Sequence, residues 1–101
     1  MPAYIVSDLT VRDPKEIEIY RTRAAASIAA HGGRYVARGG KIEVLEGDWE
    51  PRSIIIVEFP DIEQARAWYR SPEYALALEV RDEALSRNLI LVEGVTPPSL
   101  V

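Results

Sequence analysis

The segment Arg52-Ser-Ile-Ile-Ile-Val-Glu-Phe59 constrains the fold more than any other stretch of this chain. It is rich in β-branched residues and is closed by Pro60, so it reads as a strand. Strand side chains alternate between faces. Ile55, Val57 and Phe59 therefore point one way, and Ile54 and Ile56 point the other. A half-solvated strand would carry polar residues on one side. This strand is apolar on both, so both faces of its sheet must be covered.

The surrounding sequence shows what can cover one of them. Residues 3–11 read as a strand without Gly or Pro. Asp13 then caps a helix, with Pro14 in its first turn and Glu16 at the capping-box position. The helix is expected to run to about Ala30 and to end at Gly32-Gly33. Ile17, Tyr20, Ala24, Ile28 and His31 form its apolar stripe. Arg34 to Arg38 reads as a second strand, and Lys41 to Glu46 alternates again beyond Gly39-Gly40. The glycine pair is expected to be a bulge in one long strand, with a hairpin turn as the alternative.

Beyond Pro60, Asp61 and Gln64 mark the start of a short helix that buries Ile62, Ala65 and Trp68 or Tyr69. Ser71-Pro72 starts a further helix, with Tyr74, Leu78, Arg81 and Leu85 on one stripe. Asn88 to Val95 reads as the last strand, and 97–101 as a tail after a single 1–96 domain. The order β-α-β-β-α-β predicts an α+β, ferredoxin-like antiparallel sheet with its helices on one face.

The second face is then left bare. Strands Tyr4-Ile-Val6 and Leu89-Ile-Leu-Val92 are as apolar on both sides as Ile54–Phe59. A chain of 101 residues has no spare element to cover them. A second copy is the expected cover, giving a homodimer through the sheet; terminal residues folding across it are the alternative.

Twelve basic against sixteen acidic residues give a net charge of −4, with no basic run. Nucleic-acid and anionic-membrane partners are therefore not expected. No apolar stretch approaches the length of a membrane span. The first residues lack a basic n-region, and the chain has no cysteine; a cytoplasmic location is expected.

His31-Gly-Gly, Tyr35-Val-Ala-Arg-Gly-Gly40, Leu45-Glu-Gly-Asp-Trp49, Ile56-Val-Glu-Phe-Pro60 and Ala67-Trp-Tyr-Arg-Ser-Pro-Glu-Tyr74 occur in that order. Together they resemble the uncharacterised bacterial domain-of-unknown-function family thirteen-thirty, of the dimeric α/β-barrel superfamily. The resemblance covers roughly residues 2–95. It implies a ferredoxin-like fold whose sheets pack face to face in a dimer. It implies no reaction.

Candidate chemistry rests on few residues. His31 is the only histidine and the default acid–base group; its alternative role is to cap a helix end. Glu58 interrupts an apolar strand on the face of Ile54 and Ile56. If that face met the helices, Glu58 would line a cleft and its pKa would rise. Tyr74 is a third candidate for proton handling. Arg38 and Arg81 are candidate anion clamps, with Arg52 beside them; Arg81–Glu58 and Arg38–Glu46 ion pairs are the structural alternative. Trp68 and Tyr69 are candidate pocket walls, and Trp49 is expected to reach toward a partner subunit. Ser71 is accounted for as a cap, and one histidine without cysteines makes a metal site unexpected. No cofactor motif is present. The expected role is binding or transforming a small, largely apolar molecule, anionic or aromatic, in a cleft between sheet and helices. The alternative is a non-catalytic homodimeric module.

Overall fold

The computed structural model describes residues 1–95. The tail expected at 97–101 lies outside them. In chain order the elements are β1 (Ala3–Val11), α1 (Pro14–Ala30), β2 (Arg34–Arg38), β3 (Ile54–Phe59), α2 (Ile62–Tyr69), α3 (Pro72–Ala84) and β4 (Leu85–Glu93). The four strands form one antiparallel sheet in the order β2-β3-β1-β4.

Local chemistry fixes each helix. The Asp13 carboxylate accepts from the N–H groups of Lys15 and Glu16, Asp61 from Gln64, and the Ser71 hydroxyl from Tyr74. These satisfy donors that a helix start leaves free. At the end of α1, Gly33 N–H bonds Ile28 C=O and Gly32 N–H bonds Ala29 C=O. That Schellman pattern places Gly32 at φ +75, where a side chain would be strained.

Alternation sorts the strands into two faces. Ala3, Ile5, Ser7 and Leu9 of β1 are buried toward the helices, as are Val57 and Phe59 of β3 and Leu85 of β4. They join Ile17, Tyr20, Trp68 and Tyr74 in one core. Trp68 is the buried aromatic of α2, whereas Tyr69 is exposed. Tyr4, Val6, Ile54, Ile56, Ile90 and Val92 lie on the other face, which no described element covers.

Three expectations need correction. The bulge is not at Gly39-Gly40. Tyr35 pairs with Val57 and Ala37 with Ile56, so Val36 is the extra residue. Lys41 to Glu46 is not a strand: Arg38 already pairs with Ile55, one residue from the start of β3 at Ile54, so the residues beyond have no strand left to pair with. Gly39, at φ +69, ends β2 instead. Finally, α3 gives way to β4 at Leu85 without a turn, three residues before the expected strand start.

Candidate functional site

A cavity of about 300 Å³ separates α1 from the sheet. Ile17, Tyr20, Arg21, Ala24 and Ile28 of α1 form its roof, with Arg21 also paired to Glu18 at 2.8 Å, and Trp68 of α2 forms part of a wall. Its floor is the inward face of the sheet: Ile5, Ser7 and Leu9 from β1, Tyr35 and Arg38 from β2, Ile55 and Val57 from β3, Arg87 and Leu89 from β4. Such a lining, mostly apolar with a few placed polar groups, is the usual character of a small-molecule site.

The bulge at Val36 sets part of this floor. Tyr35 and Arg38 are three residues apart, so a regular strand would send them to opposite faces. One extra residue restores the phase, and both reach the cavity. There the Arg38 guanidinium lies 4.2 Å from the centre of the Tyr35 ring.

Arg87 enters from the opposite edge. On β4 the inward residues are Leu85, Arg87, Leu89 and Leu91, so one cation stands in an apolar row. It donates to the Tyr20 hydroxyl at 2.6 Å and to the Tyr74 hydroxyl. The two phenol oxygens are themselves 2.7 Å apart. Proton accounting gives this cluster a direction. One phenol proton is shared between the oxygens, and one is left over. Tyr74 is 0% exposed and stacked on Trp68 at 4.1 Å, so its proton has only Tyr20 to reach. The Tyr20 proton then faces the cavity. Burial raises the pKa of Tyr20, which keeps it a neutral donor.

No Asp or Glu among the described residues lines the cavity. Among the described residues, neither Arg38 nor Arg87 forms an ion pair with a carboxylate. The lining is therefore positive inside a chain whose net charge is −4.

The sequence candidates fall in different places. Arg38 and Trp68 line the cavity, and Tyr74 stands behind its wall. His31 caps the C-terminus of α1, its Nδ1 3.1 Å from the Ser27 carbonyl and its Nε2 3.8 Å from a Glu73 oxygen. Arg81 is beside Asp82 at 3.3 Å, not Glu58, and lies in a separate surface depression with Tyr69. Trp49 is exposed and donates to Asp8 at 3.1 Å. Asp8 also accepts the backbone N–H of Arg52 at 2.9 Å; that bond leads the contacts that lower its pKa. Glu58 lies on the uncovered face, away from the cavity, because Val57 and Phe59 take the helix side. Its pKa is lowered rather than raised, chiefly by Arg34 at 2.9 Å and then by Tyr4 at 3.1 Å. Among the described residues no three His, Cys, Asp or Glu side chains are grouped to hold a metal ion.

Tyr20, Ser7 and Arg87 are the residues that sequence reasoning missed. Arg87 had a usable signal: it alternates with Leu85 and Leu89. That phase appears only once the strand is known to start at Leu85.

An α+β ferredoxin-like sheet with a cationic, apolar-walled cleft beneath its helices is the class that these features define. Residues 2–95 match the family described as a domain of unknown function, DUF1330, and the chain belongs to that family. Its fold is similar to a protein of unknown function from Rhodopseudomonas palustris, with TM-score 0.74 and 21% identity over 95% of this chain and 84% of that one. It is also similar to SnoaB, a cofactor-independent oxygenase from Streptomyces nogalater, with TM-score 0.63 and 19% identity over 98% and 96% of the two chains. A dimeric ferredoxin-like protein of unknown function from Bacteroides fragilis matches with TM-score 0.53 and 15% identity over 92% and 96%. No curated protein matches.

Proposed function

We propose that the cleft between α1 and the sheet binds a small, largely apolar molecule with an anionic or aromatic group. One observation carries this reading: three arginines line an apolar-walled cavity of about 300 Å³, and while Arg21 is paired with Glu18, Arg38 and Arg87 meet no carboxylate among the described residues. Arg38 is exposed at the edge of the cavity and Arg87 is half-buried, and a charge drawn partly out of water is normally paired. Here the partners are an aromatic face and two phenols, which leaves room for an anion. The Tyr20 proton supplies a donor beside it. Similarity in fold to a cofactor-independent oxygenase supports extending the reading to transformation of such a molecule with these groups alone.

The test is thermal stabilisation by a panel of small aromatic acids. A ligand at one hundred times its Kd adds about 2.7 kcal/mol, a shift of roughly 10–20 °C for a domain of this size. If no compound raises the melting temperature, the reading fails and a non-catalytic module is favoured.

The cleft sits in one copy of what we further propose is a homodimer through the uncovered sheet face. Ile90 and Val92 of β4 there are 57% and 44% exposed. Trp49, tied to Asp8 on the same side, is 63% exposed, and Leu45 of its loop 85%. The similar protein from Bacteroides fragilis is described as dimeric. Light scattering should give about twice 11.3 kDa, and Ile90→Glu should halve it. A wild-type monomer would overturn the dimer while leaving the cleft untouched.

A further inference from the structure

We infer that the cleft's ligand is a carboxylate, seated over Ser7 with Arg87 and Arg38 on either side. The inference rests on the cleft reading above and deepens it.

Ser7 is the anomaly of the floor. The other inward residues of β1, namely Ala3, Ile5 and Leu9, are apolar. Ser7 is 4% exposed, yet its hydroxyl has no hydrogen-bond partner, the only such buried side-chain atom among the described residues. Ser27 and Ser71, the other buried serines, both bond to backbone carbonyls. An unpaired buried hydroxyl is unfavourable, and an apolar residue of that size would be better for folding alone.

Register places this hydroxyl among cations. Ser7 pairs with Ile55 on one side and Leu89 on the other. Arg38 pairs with Ile55, so its backbone is two strand spacings from Ser7, roughly 10 Å. Arg87 pairs with Leu9 and is the diagonal neighbour of Ser7, at roughly 7–8 Å, a span that long side chains cross. All three line the same cavity. Arg87 spends two of its five N–H donors on the tyrosines and keeps three.

The donor set selects the ligand's chemistry. Ser7 offers one O–H, Arg87 a planar group of N–H donors, and Arg38 a second positive charge from the other side. A carboxylate presents two acceptor oxygens in one plane and satisfies the hydroxyl and a guanidinium together. A phenolate presents one oxygen and leaves a donor unmet. A neutral amide meets the hydroxyl but not the charges. The apolar remainder of the lining suits a one- or two-ring body, because the volume is at the lower end for small-molecule sites.

The experiment is calorimetric titration of the full chain with 2-naphthoate, 2-naphthol and 2-naphthamide, for wild type and Ser7→Ala, with melting curves of both free proteins. Wild type should bind the naphthoate about tenfold more tightly than the other two. Ser7→Ala should lose about tenfold for the naphthoate and leave the naphthol within about twofold. The free variant should melt at or above wild type, since it loses an unpaired hydroxyl. Equal binding of all three compounds, unchanged by Ser7→Ala, would overturn the carboxylate inference and leave the cleft reading standing. Failure of all three to bind would overturn both. A free variant melting well below wild type would show that the hydroxyl serves the fold, and would overturn the inference alone.

Discussion

Replacing Tyr74 by Phe removes one buried oxygen and nothing else. That oxygen accepts from Arg87 and meets the Tyr20 hydroxyl at 2.7 Å. A hydrogen bond to a charged group contributes about 1.5–3 kcal/mol and a neutral one about 0.5–1.5 kcal/mol. The freed Arg87 N–H borders a cavity that water can enter, so the full orphan penalty does not apply. The net loss should be about 2–3 kcal/mol, or roughly 10–20 °C in Tm for a domain of this size. Urea unfolding at one fixed protein concentration measures it, with the m value unchanged. The cluster account also requires coupling. Tyr20→Phe, Tyr74→Phe and the double variant should show an interaction of about 0.5–3 kcal/mol. A Tyr74→Phe loss below about 0.5 kcal/mol, or strictly additive single variants, would refute the hydrogen-bonded cluster.

Other consequences concern the frame around the cleft. A Cβ on Gly33 would stand 2.7 Å from both Ile28 Cγ2 and Phe59 Cε1, so Gly33→Ala should cost about 1–3 kcal/mol by overpacking, read as a lower urea midpoint. The Glu58 pKa is depressed in the folded protein. Its contribution is therefore present above the ordinary carboxylate value and lost as pH falls through the depressed one. Glu58→Gln should flatten the stability profile below about pH 4.5 relative to wild type, and an unchanged slope would show that the Arg34 and Tyr4 contacts do not act in solution.

Much of the frame is readable in the chain because local chemistry writes it. Asp13-Pro14, Asp61, Ser71-Pro72 and Gly32-Gly33 mark helix ends through their own hydrogen bonds, independent of distant residues. The alternation of Ile54 to Phe59 likewise showed that Glu58 opposes Val57 and Phe59. It could not show which side the helices take, and that choice sent Glu58 away from the cleft. The bulge at Val36 has no local signature, since it exists only in pairing with β3. Without it Arg38 would face outward. Arg87 was hidden by the junction of α3 and β4, where no Gly or Pro separates helix from strand and Leu85 turns extended at once. The periodicities of 3.6 and 2 meet there in mid-sequence, and the inward phase of Arg87 belongs to the second. Lys41 to Glu46 shows the converse: alternation makes no strand where the neighbouring strand, β3, does not extend far enough to pair with it.

The proposed anion-binding role of the cleft is best examined residue by residue in solution. Amide chemical shifts should be followed by nitrogen-15 NMR while 2-naphthoate is added to the wild-type protein. Saturable shifts should gather on Ser7 and Leu9 of β1, Tyr35 to Gly39, Ile55 and Arg87, all around one cavity. Shifts confined to Ile90, Val92 and the Trp49 loop on the uncovered face, or none at all, would contradict it.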